Sequence, residues 1–173
     1  MTEKQENIIK AALQLFATEG YHATSTSKVA KQAKVSEGLI FRHFGNKEGL
    51  LQAIVNQGME RAKQLFADIV FETDPREVIR KTLEMPFSIR GEEYEFWRLQ
   101  FKLKWELKHF DDSKMESMTL ALVNAFKKLG YENPEEEAEL LKIILDGTSA
   151  AILKGVILDK EAILNLQKSK YSV

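Results

Sequence analysis

Apolar residues in this chain return every three or four positions and nowhere alternate convincingly with a period of two, which is the spacing of helices that bury one face. Breaks are few: three prolines and nine glycines in 173 residues. Ile8, Ile9, Ala12, Leu13 and Phe16 mark a first helix. Thr2 and Gln5 have the spacing of a capping box at its start, and Gly20 lies just past its end. Two short helices fit between Thr26 and Phe44, and a longer one starts near Asn46 and runs through Leu50, Leu51, Ile54, Val55, Leu65 and Ile69. Asp74-Pro75 and Asn133-Pro134 each put a capping residue before a proline at the first helical position. Pro86 and Gly91 break or kink the segment that starts at Pro75. Further helices are predicted over Glu92 to Phe110, Ser113 to Leu129 (closed by Gly130), Pro134 to about Leu158, and Lys160 to Lys168. The expected fold is all-α with about nine helices, no repeats and no low-complexity linker.

Hydrophobic residues at 44% and charged residues at 29% are the proportions of a globular protein with a real core,. There is no cysteine, so disulfides, thiolate metal sites and thiol catalysis are excluded. The first residues, MTEKQENIIK, lack a signal-type apolar run, and no stretch of about 18 apolar residues occurs,. A cytoplasmic protein with no membrane partner is expected. The net charge of −1 is unevenly spread: residues 1–51 hold seven Lys or Arg against five Asp or Glu, and the remainder is net acidic. That asymmetry favours an N-terminal nucleic-acid contact without deciding it.

The segment KVSEGLIFRHFGNKEGL, Lys34 to Leu50, carries the sharpest signal. If Thr26 to Phe44 forms two helices joined by a tight turn, Val29, Ala30 and Ala33 share one face of the first. Leu39, Ile40 and Phe44 then share a face of the second, with Val35 in the turn; by spacing these are core residues. Ala30 is small where the helices cross. Ser36 is expected to cap the second helix, turning its N-terminal N–H groups and positive dipole end outward. Such an end suits phosphate, and a helix with short side chains there enters a major groove about 12 Å wide. Arg42, His43 and Lys47 are placed to meet backbone phosphates. Glu37 either accepts from a cytosine amino group or simply favours the helix N-terminus.

These residues resemble the DNA-binding domain of the TetR (TetR/AcrR-like) family of bacterial transcriptional regulators. The matching features are Leu15-Phe16, Gly20-Tyr21, Thr24-Ser25, Val29-Ala30, Ala33-Lys34-Val35-Ser36, Phe41-Arg42-His43-Phe44, Lys47 and Leu50. About 45 residues agree in order and spacing. The family's turn glycine is Lys34 here, which costs on the order of 1 kcal/mol if that position needs positive φ. The family's tyrosine is Phe41, without the hydroxyl that reaches a phosphate. The resemblance implies a helix-turn-helix domain over residues 1–46 and a helical effector-binding and dimerisation domain over 47–173, linked by the helix from about 46 to 71. It implies DNA contacts from Ser25, Thr26, Ser27, Lys28, Lys34, Ser36, Glu37, Gly38, Leu39, Phe41, Arg42, His43 and Lys47.

In the second half, Trp97, Phe101 and Trp105 recur at i, i+4 and i+8, while Leu99, Leu103 and Phe110 lie on other faces. A helix apolar on several sides is either wholly internal or faces both a core and a cavity. Met85, Phe87, Met115 and Met118 are adaptable enough to line the same space. Core packing competes with an apolar small-molecule effector for all seven. The segment LLKIILDGTSAAILKGVIL mixes small and branched residues, and Ile144, Gly147, Ala151, Ile152 and Gly155 are candidate homodimer contacts,. Two Glu-x-x-His spacings, Glu19 to His22 and Glu106 to His109, are too isolated for a di-iron bundle. Phosphate-loop, HExxH and nucleophile-elbow motifs do not occur. The reading is therefore a non-enzymatic, ligand-responsive repressor that binds a palindromic duplex operator as a dimer, with no cofactor and no metal. The alternatives are an activator of the same family, or a small-molecule or metal-binding bundle that no longer binds DNA.

Overall fold

The computed structural model describes residues 1–106, 113–157 and 159–173, and side chains outside 59–62, 64–65, 104–106 and 113–115. Among the described residues all regular structure is helical: α1 (Glu3–Glu19), α2 (Thr26–Ala33), α3 (Glu37–Phe44), α4 (Lys47–Val70), α5 (Pro75–Glu84), α6 (Tyr94–Glu106), α7 (Ser113–Lys128), α8 (Pro134–Lys154) and α9 (Lys160–Tyr171). Pro86 and Gly91 fall in two short 3₁₀ pieces, Met85–Ser88 and Gly91–Glu93, so α6 starts later than the apolar pattern suggested. The predicted end of that helix, Leu107 to Phe110, and the predicted end of α8 at Leu158 lie outside the described residues.

Local chemistry accounts for most of the helix ends. Gln5 N–H donates to the Thr2 hydroxyl at 3.4 Å while the Gln5 Oε1 accepts from Thr2 N–H at 2.8 Å, satisfying two orphan donors reciprocally. Gly20 closes α1 with φ 98°. Ser25 accepts from Lys28 N–H at 3.1 Å and so caps α2. Asp74 accepts from Arg76 N–H at 2.9 Å with Pro75 in the first turn. Asn133, by contrast, makes no side-chain cap bond. Gly155 ends α8 in the left-handed conformation.

Packing divides the chain into two compact units, Met1–Arg61 with α6, and Ala62–Gly91 with α7, α8 and α9. In the first, Ile8, Ala12 and Phe16 of α1, Val29 and Ala30 of α2, Ile40 of α3, Leu50 and Ile54 of α4, and Leu99 and Leu103 of α6 form one buried cluster. Helix α6, although it follows α5 in the chain, packs on α1 and belongs to the unit of the N-terminal helices. The reason is the breadth of α1, which buries Ile8, Ile9, Ala11, Ala12, Leu15, Phe16 and Ala17, more surface than a single facing helix covers,. Lys102 of α6 donates to the Thr18 carbonyl at 2.9 Å. It places a cation at the C-terminal end of α1, whose own last turn has none,. Phe96 fills the notch left by Gly58, where a Cβ would lie 1.9 Å from its ring.

The second unit is built on Ile69, Val78, Ile79, Leu83, Met118, Leu122, Phe126, Leu141 and Leu145. Phe126 meets Tyr131 edge-on with ring centroids 4.9 Å apart, and Tyr171 at 5.8 Å. Tyr171 sits at the end of α9, which is further held by Lys168 to Glu84 at 2.5 Å, Arg76 to the Ser172 carbonyl at 2.8 Å, and Gln167 to Thr148 at 2.7 Å.

Candidate nucleic-acid interface

The turn between α2 and α3 is set by backbone bonds. Lys34 N–H donates to the Lys31 carbonyl at 3.3 Å and Val35 N–H to the Ala30 carbonyl at 3.0 Å, the paired bonds of a Schellman motif. Such a motif needs a left-handed residue, and Lys34 occupies it at φ 55°, ψ 43°. The position does require positive φ, so the family's glycine is replaced by lysine at a real backbone cost. Lys34→Gly is expected to stabilise the protein by about 1 kcal/mol, read as a higher urea midpoint at unchanged slope. A lower midpoint would mean that Lys34 is held there by contacts outweighing the strain.

Helix α3 is anchored by one fully buried side chain, Ile40, with Leu39 and Phe44 half-buried against the same core. Its other faces are open: Ser36, Gly38, Phe41 and Arg42 are exposed, as are Ser25, Ser27 and Lys28 at the start of α2 and Lys34 in the turn. A Cβ at Gly38 would meet nothing within 4 Å, so the first turn of α3 is sterically clear. Ser36 has the extended backbone of an N-cap (φ −74°, ψ 146°) but makes no side-chain cap bond. The expectation of hydroxyl capping is corrected: the Ser36 hydroxyl does not close off the N–H groups of this end.

Several polar candidates have partners inside the unit. The Thr26 hydroxyl donates to Glu37 Oε1 at 2.5 Å, tying the first turn of α2 to the first turn of α3. That bond gives Glu37 an acceptor's role within the fold, which neither sequence reading of it foresaw. Lys28 pairs with Glu19 at 2.5 Å on the surface, a contact worth at most about 1 kcal/mol. Lys47 lies 4.4 Å from the centroid of the Tyr21 ring and donates to the His22 carbonyl at 3.4 Å. Burial holds its ammonium below the ordinary lysine range. Burial also raises the Tyr21 phenol, with the Glu48 carboxylate adding to the effect. His43 is half-buried, edge-on to Phe44 at 6.2 Å, with Nδ1 3.4 Å from Gln5 Nε2. Buried Thr24 donates to the Gly20 carbonyl at 2.9 Å and braces the loop that carries Tyr21.

The sequence did not show Gln5, Glu19 or Tyr21 as partners of these cations and rings. They stand 38, 9 and 26 positions from His43, Lys28 and Lys47, separations at which no helical periodicity speaks.

The candidate ligand-contacting residues are divided between the two units. Trp97, Phe101 and Trp105 belong to α6, and Met85, Phe87, Met115 and Met118 to the second unit. Trp97, Phe101, Met85 and Phe87 are partly exposed. Met118 is fully buried within the core of its own unit, where it packs as a core residue. The side chains of Trp105 and Met115 lie outside the described residues. Among the candidate dimer contacts, Gly147 and Gly155 are exposed, and Ile144 and Ala151 partly so. Ile152 is 2% exposed in its own chain and has no surface to offer. The exposed apolar strip of α8 instead runs through Leu140, Ile143 and Gly147, and α9 exposes Ile163 and Leu166. Of the Glu-x-x-His pairs, Glu19 is bound to Lys28 and His109 lies outside the described residues. No helix among the described residues is long and apolar enough to cross a membrane.

Comparison with known proteins agrees with this geometry. Residues 8–54 match the family model for bacterial regulatory proteins of the tetR family. Over 103 residues the chain is 35% identical to an uncharacterized HTH-type transcriptional regulator, YuxN, of Bacillus subtilis (strain 168), an alignment covering 59% of this chain and 35% of the relative. The chain spans about a third of the length of the curated relatives it matches. The fold is similar to that of a TetR-like transcriptional regulator from Rhodococcus sp. RHA1, with a TM-score of 0.81 at 20% identity over 96% of this chain and 92% of that one. AibR, solved with isovaleryl coenzyme A and operator DNA, is similar with a TM-score of 0.66 at 20% identity, over 86% of each chain.

Proposed function

We propose, from the match of residues 8–54 to the family model for bacterial regulatory proteins of the tetR family, that the chain is a ligand-responsive repressor of that family that binds a palindromic operator as a homodimer. The observation that carries this reading is the disposition of α3. One side is fixed by Ile40 in the core, while Gly38, Phe41 and Arg42 on its other faces and Ser36 at its N-cap are open, with Lys34 exposed at the turn before it. A helix held in that way presents its N-terminal turn to a major groove and its cations to the flanking phosphates.

The apolar strip on α8 and the exposed Ile163 and Leu166 of α9 fit the self-complementary contact of a twofold dimer, which sets two copies of α3 in successive grooves. The partly exposed Trp97 and Phe101 of α6 support an effector with a substantial apolar part. Isovaleryl coenzyme A, held by the similar AibR structure, is a ligand of that character. Effector binding favours a dimer whose α3 helices no longer match the operator spacing, and moving that equilibrium decisively takes about 5 kcal/mol of differential affinity. A bacterial repressor that binds operator DNA works in the cytoplasm.

Selection of bound sequences from a random duplex library at two salt concentrations tests the proposal. The expected product is a palindrome with half-sites about 10 bp apart or somewhat more, bound with steep salt dependence. Arg42→Ala is expected to weaken binding to all sequences alike and to flatten the log–log salt slope by about one. Lys47→Ala should do the same and also lower thermal stability, because its ammonium rests on Tyr21,. Absence of any enriched sequence, with only weak binding indifferent to Arg42, overturns the assignment.

A further inference from the structure

The amide of Gln5 does two things at once. Its Oε1 accepts from the backbone N–H of Thr2 at 2.8 Å, closing the capping box of α1, and its Nε2 lies 3.4 Å from His43 Nδ1 on α3. The two ends of an amide are ordinarily hard to tell apart, but here the backbone removes the ambiguity. A peptide N–H can only donate, so the oxygen must face Thr2 and the NH₂ must face the imidazole. The imidazole nitrogen that meets a donor has to be the one with the lone pair. His43 therefore carries its proton on the opposite ring nitrogen, Nε2.

From this juxtaposition we propose that Gln5 is a positioning residue: it fixes the tautomer and orientation of His43 so that Nε2–H is presented as a donor to the DNA backbone. The proposal rests on the DNA-binding reading above for its consequence, but not for its chemistry. It joins the start of the first helix to the helix that reads DNA, across 38 positions of chain. The bond cannot be reversed without cost, because a flipped amide would set its NH₂ against the Thr2 N–H and open the capping box. A second edge of the ring is held by Phe44, whose ring meets it at an interplanar angle of 69°.

Gln5→Glu and Gln5→Met separate this role from simple capping. Glutamate closes a capping box as well as glutamine does, yet it can only accept a bond from the histidine. Methionine keeps the length of the side chain and offers neither. In full-length protein with ¹⁵N-labelled histidine, long-range ¹H–¹⁵N spectra of wild type are expected to show His43 Nδ1 unprotonated and Nε2 protonated. In Gln5→Glu the Nδ1 resonance should move to the protonated range, and in Gln5→Met it should fall between the two. On a selected duplex, Gln5→Met should bind between about twofold and tenfold more weakly, and the same change should have no effect on DNA binding in a His43→Ala background. An Nδ1 resonance identical in wild type and Gln5→Glu overturns the proposal. So does a Gln5→Met penalty that persists undiminished without His43, because it then acts through the helix cap alone. If no variant, nor wild type, binds duplex DNA, the functional reading fails and the spectra still decide whether Gln5 sets the tautomer.

Discussion

Ile40→Ala is expected to cost about 2–5 kcal/mol of stability, the range for emptying a fully buried aliphatic site. Ile40 is 0% exposed and is the sole buried residue of α3, so the eight residues of that helix depend on it more than on any propensity of their own. An isolated helix of that length is not stable in water. Loss of this side chain removes the contact that gives α3 a fixed orientation. With a total stability of about 5–15 kcal/mol in domains of this kind, the variant should unfold at a markedly lower urea concentration and lose operator binding before it loses all helicity. Phe41→Ala is the control. Its side chain is 46% exposed on the neighbouring position, and its removal should change stability by less than about 1 kcal/mol. Equal midpoints for Ile40→Ala and wild type would show that α3 is anchored elsewhere.

Gly49→Ala should be comparably damaging for the opposite reason. A Cβ at Gly49 would lie 2.0 Å from the Phe44 carbonyl oxygen and 3.2 Å from its carbon, and both are backbone atoms that no rotamer change can move. The junction is already tight: Asn46 N–H donates to that same carbonyl at 2.9 Å, and Asn46 Oδ1 accepts from Gly49 N–H at 2.7 Å. Overpacking typically costs about 1–3 kcal/mol where side chains can give way, and here the end of α3 and the start of α4 must separate instead. The expected loss is at or above the upper end of that range, accompanied by loss of DNA binding. Gly38→Ala, where nothing lies within 4 Å, should instead raise stability by about 0.5 kcal/mol. Two glycine-to-alanine changes eleven residues apart thus move the urea midpoint in opposite directions. A neutral Gly49→Ala would contradict the close approach of α4 to α3.

The functional consequence of both changes comes from how the site is made. The open face of α3 needs few contacts of its own, because Ile40 and the Phe44–Gly49 junction hold it from behind. Lys34 adds a strained but tolerated turn. On the proposed DNA-binding reading, exposed groups such as Arg42 act on DNA without being required for folding, so affinity and stability should respond to different sets of substitutions.

How far the sequence went depended on the range of the interaction involved. The capping box of Thr2 and Gln5, the Asp74-Pro75 start, the Gly20 and Gly155 stops and the core faces of α2 and α3 rest on residues within a few positions of one another, and periodicity reads those directly. The helix-turn-helix and the all-α class were legible for the same reason. The tertiary structure alone decided that α6 packs on α1 and that Ile152 of α8 turns inward while Ile143 turns out. Both helices are apolar on more than one side, so their pattern does not say which side is covered. It also decided that Glu37 is bound by Thr26, that Lys47 rests on Tyr21 and that Gln5 faces His43. Those partners stand 11 to 38 positions apart, and a long polar side chain can satisfy its charge or hydrogen bonds with any neighbour the fold brings within about 3 Å. Local spacing determined where the helices are and which faces they bury, and only the folded chain determined which polar groups those helices bring together.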